Sequence, residues 1–513
     1  MDWTAGYASD VEYTAGFYDE QSPSHLNLVC VLNGYRPVSI SESFTYFELG
    51  FGRGLTVNVL AAANPQGRFY AADFNPAHVV AASELAAEAG LPNLTVLEKS
   101  FAELATDEDA NLPQFDFITL HGIYTWVTEE NQKHIVNFIA RYLKPGGIVY
   151  LGYNSMPGWS AVLPLQKLLV EYASAFPNQS NVQVDGAAAM VEAMEKAGAR
   201  YLIANPTIRG RVDELKKGNR NYLVHEYMHK HWSPRYHADV ARDLAVAKMD
   251  FVGAADLPLA YENLYLNNEQ LNSINSMPDK VMRETMKDYF LNTSFRKDVF
   301  VKGARKLNPI KQNEYLAMVG AVLLKQKNAI ELNFNLSIGE VKGRPELFNP
   351  VLDALEKKPQ TIDELIATLG LQQTEVGNLA QIFVLLSASG AVRLYWACQQ
   401  QSVSNAHAMN RAIAASSRYG DEYQVFASPV CGSGLTVNFV ERLVYLLGLE
   451  PSIEFKPESL APKVWELIKM QERRMVKDGE TLESDMDNLK EVLRQINELF
   501  DNRLTVWDQL RIR

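Results

Sequence analysis

The sequence is poor in cysteine and in long apolar runs. Its 513 residues include three cysteines, Cys30, Cys398 and Cys431, which are too few and too scattered for a disulfide framework or a zinc site. No apolar run reaches the 18 residues that a membrane-spanning helix needs, and no basic and apolar leader marks the N-terminus. These absences predict a cytoplasmic protein that inserts into no membrane and holds no structural metal.

Basic charge is also scarce. Acidic residues outnumber basic residues by 61 to 49, which gives a net charge of −12. Binding to nucleic acid depends on clustered lysine and arginine side chains that neutralise phosphates, so no nucleic-acid partner is expected. A chain of 513 residues is long enough for two or three domains.

The most informative stretch that is present covers residues 44–73. An apolar run, FTYFEL, is typical of a buried strand, and it leads through a turn with Gly50, Gly52 and Gly54 into the helical pattern LTVNVLAAA. A second apolar run then ends on the carboxylate of Asp73, which is placed to accept hydrogen bonds from ribose hydroxyls. This order of strand, glycine turn, helix, strand and acid predicts half of a nucleotide-cofactor site.

The spacing of the glycines indicates which class of nucleotide cofactor the turn would bind. Dinucleotide sites usually read G-x-G-x-x-G, whereas this chain reads E-x-G-x-G-x-G, with Glu48 two residues before the first glycine. A carboxylate at that position favours a cationic ligand over a pyrophosphate. The pattern resembles motif I of class I S-adenosylmethionine (SAM) methyltransferases. The alternative is a glycine turn that only packs a helix on a sheet.

Strand and helix patterns alternate over residues 41–160, which predicts an α/β fold with a mainly parallel sheet. Ligands in such sheets bind beyond the carboxyl ends of the strands. The residues expected at those ends, beyond the glycine turn and Asp73, are Ser100, Phe101, His121, Tyr124, Trp126, Tyr153 and Asn154.

A second pattern, HEYMH, begins at His225. It places Glu226 directly after the first histidine and His229 four residues on, as in the H-E-x-x-H motif of zinc peptidases. That reading needs a third ligand downstream and a suitable cleft, and the sequence indicates neither. The alternative is a structural role for these residues.

The remaining sequence predicts further elements. Stretches 248–258 and 294–303 are expected to be the last two strands of the sheet, and residues 312–336 alternate like a hairpin. Residues 349–395 follow the order helix, helix, helix, strand of a winged helix-turn-helix, but the would-be recognition helix, 374–389, has no lysine or arginine. We therefore interpret it as a packing or protein-interaction module. A charged helix is expected near 461–500.

Taken together, several motifs resemble bacterial class I SAM methyltransferases that carry a methyltransferase regulatory domain. They are YTAGFYDEQSP (13–23), FELGFGRG (47–54), ADFNPAH (72–78), FDFITLHGIYTWV (115–127), LKPGG (143–147), YNSMPGW (153–159) and NYLVHEYM…FVGAADLP (221–258). Members of this group include protein-lysine methyltransferases that act on outer-membrane proteins and form dimers. In the regulatory region, the resemblance implies a structural role for the HEY stretch.

The resemblance implies a Rossmann-like, seven-stranded class I methyltransferase sheet with a helical insertion, followed by α+β domains with a winged-helix-like part. We expect an aromatic lid at 1–40, a SAM-binding domain at 41–305 with its insertion near 160–245, a middle domain at 306–400 and a C-terminal domain at 401–513. For residues 1–40 two interpretations are weighed equally: a lid over the cofactor, and a helix that packs on the edge of the sheet. A homodimer is possible.

The resemblance also implies the roles of the site residues. The cofactor-binding set is Tyr18, Glu48, Gly50, Gly52, Gly54, Asp73, Phe74, Ser100, Phe101 and His121. The set for the methyl acceptor and catalysis is His121, Tyr124, Trp126, Tyr153 and Asn154, with His121 as candidate base. Three functions stay open: a protein methyltransferase acting on lysine, a small-molecule methyltransferase, and a SAM-binding regulator without catalysis.

Overall fold

The computed structural model describes residues 15–107, 111–336, 339–397 and 402–513, without the side chain of residue 221. Trp3, Tyr7 and Tyr13 of the expected lid therefore lie outside the described residues. The described leader has a short 3-10 helix, Asp19–Gln21, and helix α1, Pro23–Leu32, which begins at the proline and is largely buried.

Seven strands form one sheet with the order β3-β2-β1-β4-β5-β7-β6. Strands β1 to β5 are parallel, and β7 runs antiparallel to both β5 and β6. The strands are β1 Phe44–Leu49, β2 Gly67–Asp73, β3 Leu94–Glu98, β4 Phe115–His121, β5 Leu143–Asn154, β6 Met249–Ala254 and β7 Phe295–Lys302. The helices between the first five strands are α2 Leu55–Ala63, α3 Pro76–Glu88, α4 Phe101–Thr106 and α5 Glu129–Tyr142. This arrangement confirms the predicted Rossmann-like sheet, including its last two strands.

The centre of the sheet is built from continuous apolar sequence. All six residues of β1 and all nine residues of α2 are buried, as expected for a strand covered on both faces and the helix packed on it. Because these two elements cannot shift without opening the core, the turn that joins them is fixed in place.

A helical insertion lies between β5 and β6. Its helices are α6 Leu163–Ala175, α7 Ser180–Lys196, α8 Arg200–Ala204, α9 Arg209–Lys217 and α10 Arg220–Tyr227, and they share an apolar core of their own. Helix α11, His237–Ala245, leads back to the sheet, and α12, Asn268–Asn275, and α13, Lys280–Leu291, separate β6 from β7.

The prediction of a hairpin at residues 312–336 is wrong. Asn308 and Pro309 start a helix instead, because the Asn308 side chain accepts a hydrogen bond from the Lys311 N–H at 2.8 Å. The elements of this region are α14 Pro309–Ala317, β8 Val319–Leu323, β9 Asn333–Leu336, β10 Gly339–Lys342, α15 Pro345–Lys357, β11 Gln360–Thr361, α16 Ile362–Leu369, α17 Val376–Ala388 and β12 Val392–Trp396. Strand β8 pairs with β11 and β12, and β9 pairs with β10. The winged-helix relationship stays a prediction.

The prediction of a single helix near residues 461–500 is also wrong, since two helices flank a short hairpin there. Asp478 and Gly479, both at positive φ, make the turn of that hairpin. The last elements are α18 Ser404–Ser416, β13 Val425–Ser428, β14 Ser433–Thr436, α19 Phe439–Gly448, α20 Pro457–Met470, β15 Val476–Lys477, β16 Glu480–Thr481, α21 Asp485–Asn502 and α22 Leu504–Gln509.

This last region packs against α2 of the large sheet. Asn64, at the end of α2, donates a hydrogen bond to the Gly432 carbonyl at 2.8 Å, and Arg53 of the glycine turn pairs with Glu422. Across the described residues, no helix combines the length and apolar character needed to cross a membrane.

Candidate active site

A cavity of about 500 Å³ lies beyond the carboxyl ends of the parallel strands and continues between the sheet and the helical insertion. We call its first part the glycine-loop end, lined by Tyr18, Glu48, Gly50, Gly52, Arg53, Asp73, Phe74, Ser100, Phe101 and His121. We call its second part the insertion end, lined by Trp126, Trp159, Arg211, Tyr222, His225, Glu226 and His229. The size is that of a site for a small-molecule ligand.

The three glycines of the loop have positive φ angles, +65° at Gly50, +58° at Gly52 and +74° at Gly54, a region that side chains disfavour. A Cβ atom on Gly54 would lie 2.5 Å from the Cβ of Ala82, so this glycine is needed for packing of α2 against α3. A Cβ atom on Gly52 would meet nothing within 4 Å. Gly52 therefore keeps space open in the cavity, whereas Gly54 does not line it.

Two carboxylates stand beside this loop. Asp73 accepts hydrogen bonds from the Gly52 N–H at 3.0 Å and the Asn75 N–H at 2.9 Å, which fixes its orientation. Glu48 is 4% exposed, and its Oε1 accepts a hydrogen bond from the Gln21 amide at 3.3 Å. Its Oε2 has no hydrogen-bond partner among the described residues. Burial and the charge of Asp73 raise the pKa of Glu48 to about 8, so this carboxyl is largely protonated at neutral pH until a positive charge lies beside it.

His121 closes one side of the glycine-loop end. Its ring stacks on the ring of Tyr18, with 3.7 Å between centroids, and its Nδ1 shares a hydrogen bond with the Tyr150 hydroxyl at 2.7 Å. Burial lowers the pKa of His121 to about 4, so the imidazole is neutral at physiological pH. A ring held in this way is suited to packing against a ligand.

Ser100 has a structural partner of its own. It caps α4, accepting a hydrogen bond from the Glu103 N–H at 3.2 Å and donating one to the Glu103 carboxylate at 2.7 Å. Phe74 and Phe101 line the same part of the cavity and offer apolar surface to a ligand. Ser100 therefore anchors α4 and brings Phe101 to the cavity.

Of the five residues expected at the acceptor, His121 and two others line the cavity, and the remaining two do not. Trp126 and Asn154 line it, and the Asn154 Nδ2 is buried with no hydrogen-bond partner in the described part of the chain. Tyr124 and Tyr153 are fully buried and do not line it. The hydroxyl of Tyr124 donates a hydrogen bond to Asp243 at 2.9 Å, and that of Tyr153 donates one to Asp298 at 2.8 Å. Both hydroxyls are therefore used in hydrogen bonds within the protein.

Most of the insertion end was missed by the sequence reasoning. His225, Glu226 and His229, interpreted from sequence as structural, line the cavity together with Tyr222. The signal that could have found Tyr222, His225 and Glu226 is their spacing, since residues at i, i+3 and i+4 share one face of a helix, and His229 follows just beyond the end of that helix. No cluster of three or more metal-binding side chains exists among the residues that the structure describes.

Comparison with known proteins agrees with this geometry. Residues 47–147 match the family model described as a methyltransferase domain, and residues 219–302 match that described as a predicted methyltransferase regulatory domain. The uncharacterized protein sll1526 of Synechocystis is 35% identical to this chain, over the full length of both. The chain therefore belongs to the class I, SAM-dependent methyltransferases that carry a methyltransferase regulatory domain. Its cofactor is SAM.

Other similarities extend over different parts of the methyltransferase. Protein RP789 of Rickettsia prowazekii is 24% identical over 58% of this chain and 53% of its own. The solved structure of PKMT2 from Rickettsia typhi in complex with AdoHcy has the same fold, with a TM-score of 0.69 and 15% identity. That superposition covers 95% of this chain and 98% of PKMT2, so the shared fold extends beyond the large sheet into the C-terminal part of the chain.

Proposed function

We propose that this methyltransferase transfers the methyl group of SAM to a lysine side chain of a protein. The observation that carries the proposal is the continuity of the cavity, which joins the glycine loop to an aromatic and acidic insertion end. The insertion end includes Tyr222, a side chain that is 44% exposed, so an acceptor can enter from solvent beside it.

The glycine-loop end fits the cofactor. SAM carries a positively charged sulfonium and an amino-acid tail, and the buried Oε2 of Glu48 is an acceptor for such a charged group. The open space at Gly52 lets the ligand approach the backbone, and Gly50 and Gly54 shape the same turn. The carboxylate of Asp73, already oriented by two N–H groups, has lone pairs left for the ribose hydroxyls.

Aromatic rings complete the cofactor site in this proposal. Phe74 and Phe101 lie at the ends of β2 and β3, where they would flank the adenine ring, and Ser100 holds Phe101 in place through α4. The stacked pair of Tyr18 and His121 would pack against the part of the ligand nearest β4. These are contacts of shape and stacking, and they leave recognition of charge to Glu48 and Asp73.

When bound, SAM would supply an electrophilic methyl group, which a nucleophile attacks in line with the carbon–sulfur bond. The task of the protein is to position the two reactants and to exclude water. Trp126 offers an aromatic face to a cationic or methylated amine, and the Asn154 amide has two free N–H donors with which to orient the acceptor. Tyr124 and Tyr153 contribute indirectly, by fixing the loop after β4 and the end of β5.

The appended domains favour a macromolecular acceptor. Among the described residues, none after Phe295 lines the cavity, so the region that we propose as a middle domain, 306–400, and a C-terminal domain, 401–513, takes no direct part in the chemistry. The superposition with PKMT2 from Rickettsia typhi covers 95% of this chain, so the shared fold includes these two regions. Domains that add no reactive group are suited to gripping a protein substrate.

The test uses purified enzyme, methyl-labelled SAM and an extract of the source cells, with Asp73→Ala as the control variant. We expect label on lysine in the protein fraction with the wild type and loss of that label with the variant, together with much weaker SAM binding by calorimetry. Label confined to the small-molecule fraction would replace the proposal with a metabolite methyltransferase. No label, with SAM still bound, would favour a SAM-binding regulator.

A further inference from the structure

We propose that Glu226, on α10 of the regulatory region, is the carboxylate that binds the acceptor ammonium group and takes its proton before methyl transfer. This inference rests on the proposed function, because it assumes an amine acceptor. It gives a chemical role to the HEYMH segment. The histidine spacing of this segment resembles a metal-binding motif, but the segment lines the insertion end of the cavity.

The position of Glu226 sets it apart from the other acids of the cavity. Three acidic side chains line the cavity among the described residues, namely Glu48, Asp73 and Glu226. The first two stand beside the glycine loop, where the cofactor binds. Glu226 is thus the acid available to an acceptor that enters through the insertion.

Helix α10 presents this carboxylate as part of a polar and aromatic face. Tyr222, His225 and Glu226 follow the helical spacing i, i+3, i+4 on α10, and His229 lies two residues beyond the end of that helix; all four line the cavity. Tyr222 lies beside this carboxyl group near the exposed rim, and its interaction lowers the pKa of Glu226.

Aromatic rings connect this face to the strand that carries His121. The ring of Trp126, which follows β4, lies 5.2 Å from that of His229 and 5.7 Å from that of Trp232. Trp159 packs edge-on against Trp232 at 4.9 Å. These rings form an apolar wall along which a lysine side chain can extend, with a carboxylate at hand for its charged tip.

The groups that face Glu226 leave it able to take a proton. They are Arg211 and Glu214 on α9, and Tyr222 and Tyr227 on its own helix. The guanidinium of Arg211 is already engaged, since it lies 4.5 Å over the Trp159 ring and donates to Glu214 at 3.1 Å.

Burial raises the pKa of Glu226 to about 7, and the charge of Arg211 keeps it from rising further. A general base works best when its pKa lies near the working pH. By that criterion His121, whose pKa is lowered to about 4, is a poor proton acceptor for an ammonium group.

An N–H bond of the ammonium group breaks, its electron pair stays on nitrogen, and the proton forms an O–H bond with the Glu226 carboxylate. The lone pair of the neutral amine then forms the bond to the methyl carbon, while the electron pair of the carbon–sulfur bond goes to sulfur.

The experiment compares wild-type enzyme with Glu226→Gln, Glu226→Asp and Glu171→Gln, the last being a surface carboxylate on α6 of the same insertion that pairs with Lys167. The rate of methylation of the protein fraction is measured from pH 6 to pH 9 at saturating SAM. SAM affinity is measured separately by calorimetry.

We expect Glu226→Gln to lower kcat/KM at pH 7 by about 10² to 10⁴-fold with unchanged SAM affinity. Its rate should then rise about tenfold per pH unit up to pH 9, because the amine must lose its proton in solution, where its pKa is about 10.4. Glu226→Asp should recover part of the rate, and Glu171→Gln should match the wild type. A wild-type pH profile in Glu226→Gln would overturn the inference.

A binding measurement tests Glu226 without the reaction. Quenching of tryptophan fluorescence by n-butylammonium chloride is followed at pH 8 with AdoHcy present, since Trp126 and Trp159 line the cavity. We expect binding at least tenfold weaker in Glu226→Gln, and equal binding would overturn the inference. If the wild type labels no protein but this difference persists, the proposed function fails while the role of Glu226 as the cation-binding carboxylate stands.

Discussion

Binding of SAM should release a proton from Glu48. In the free enzyme, burial and the nearby Asp73 charge raise the Glu48 pKa to about 8, so about nine tenths of the molecules carry a protonated Glu48 at pH 7. A cationic ligand beside the buried carboxylate favours the ionised form. Cofactor binding and deprotonation of Glu48 are then thermodynamically linked.

The size of the effect follows from the pKa. If Glu48 is fully ionised in the complex, the affinity for SAM rises about tenfold per pH unit while most of the free enzyme is protonated. Between pH 6 and pH 8 the gain is about 50-fold, because half of the free enzyme is already ionised at the upper limit. Above that pH the contribution of Glu48 levels off, since the carboxylate is ionised in both states.

Calorimetry measures this directly. SAM is titrated into the enzyme at pH 7 in phosphate and in Tris, whose ionisation enthalpies differ, and the difference in heat gives the protons released. We expect Glu48 to release about 0.9 proton per site when SAM binds to the wild type, and this contribution should be absent in Glu48→Gln. The amino group of SAM also titrates near pH 8, so the variant serves as the control for the ligand. Equal proton release by the two proteins would refute the placement of Glu48 beside the cofactor charge.

Two further predictions concern the glycine loop and the histidine that faces it. Gly52→Ala should fold with a loss of about 1–2 kcal/mol for its left-handed φ but bind SAM at least tenfold more weakly, as its methyl group enters the cavity. Gly54→Ala should lower the melting temperature further, because its Cβ would meet Ala82, and a smaller loss than in Gly52→Ala would contradict this. NMR should show the His121 ring neutral from pH 5 to pH 8, and titration of that ring between pH 6 and pH 7 would show that burial does not control its pKa.

The sequence predicts the elements whose signals are local. The glycine turn, Asp73 and the proline that starts α1 at Pro23 each depend on residues close in the chain, and the structure places these elements where the patterns indicate. Strand β8 carries no such local signal, because its partners β11 and β12 lie about 40 and 70 residues further on. The alternating pattern at residues 312–336 therefore predicts a local hairpin, which does not form in the structure.

Side-chain direction explains the error at Tyr153 in the acceptor set. Consecutive residues of a strand point to opposite faces of the sheet, so Tyr153 and Asn154 cannot both face one cavity. The sequence locates the end of β5 but not the face that each residue presents. In the structure Asn154 faces the cavity, whereas Tyr153 donates a hydrogen bond in the interior to Asp298, a carboxylate that His237 and Arg296 also contact.

The leader shows most clearly why tertiary contacts escape a reading of local patterns. Four consecutive residues contact four different parts of the molecule: Tyr18 stacks on His121, Asp19 pairs with Arg393 and Ser433, Glu20 pairs with Lys297 at 2.6 Å, and Gln21 donates to Glu48 at 3.3 Å. No spacing rule predicts such a segment, because each contact depends on an element that is distant in sequence. One short segment thus contacts the residues that we propose hold SAM, the sheet and the part of the chain after residue 305. Through Asp19, which is adjacent to Tyr18, the C-terminal part of the chain is in direct contact with this segment, even though its described residues do not line the cavity.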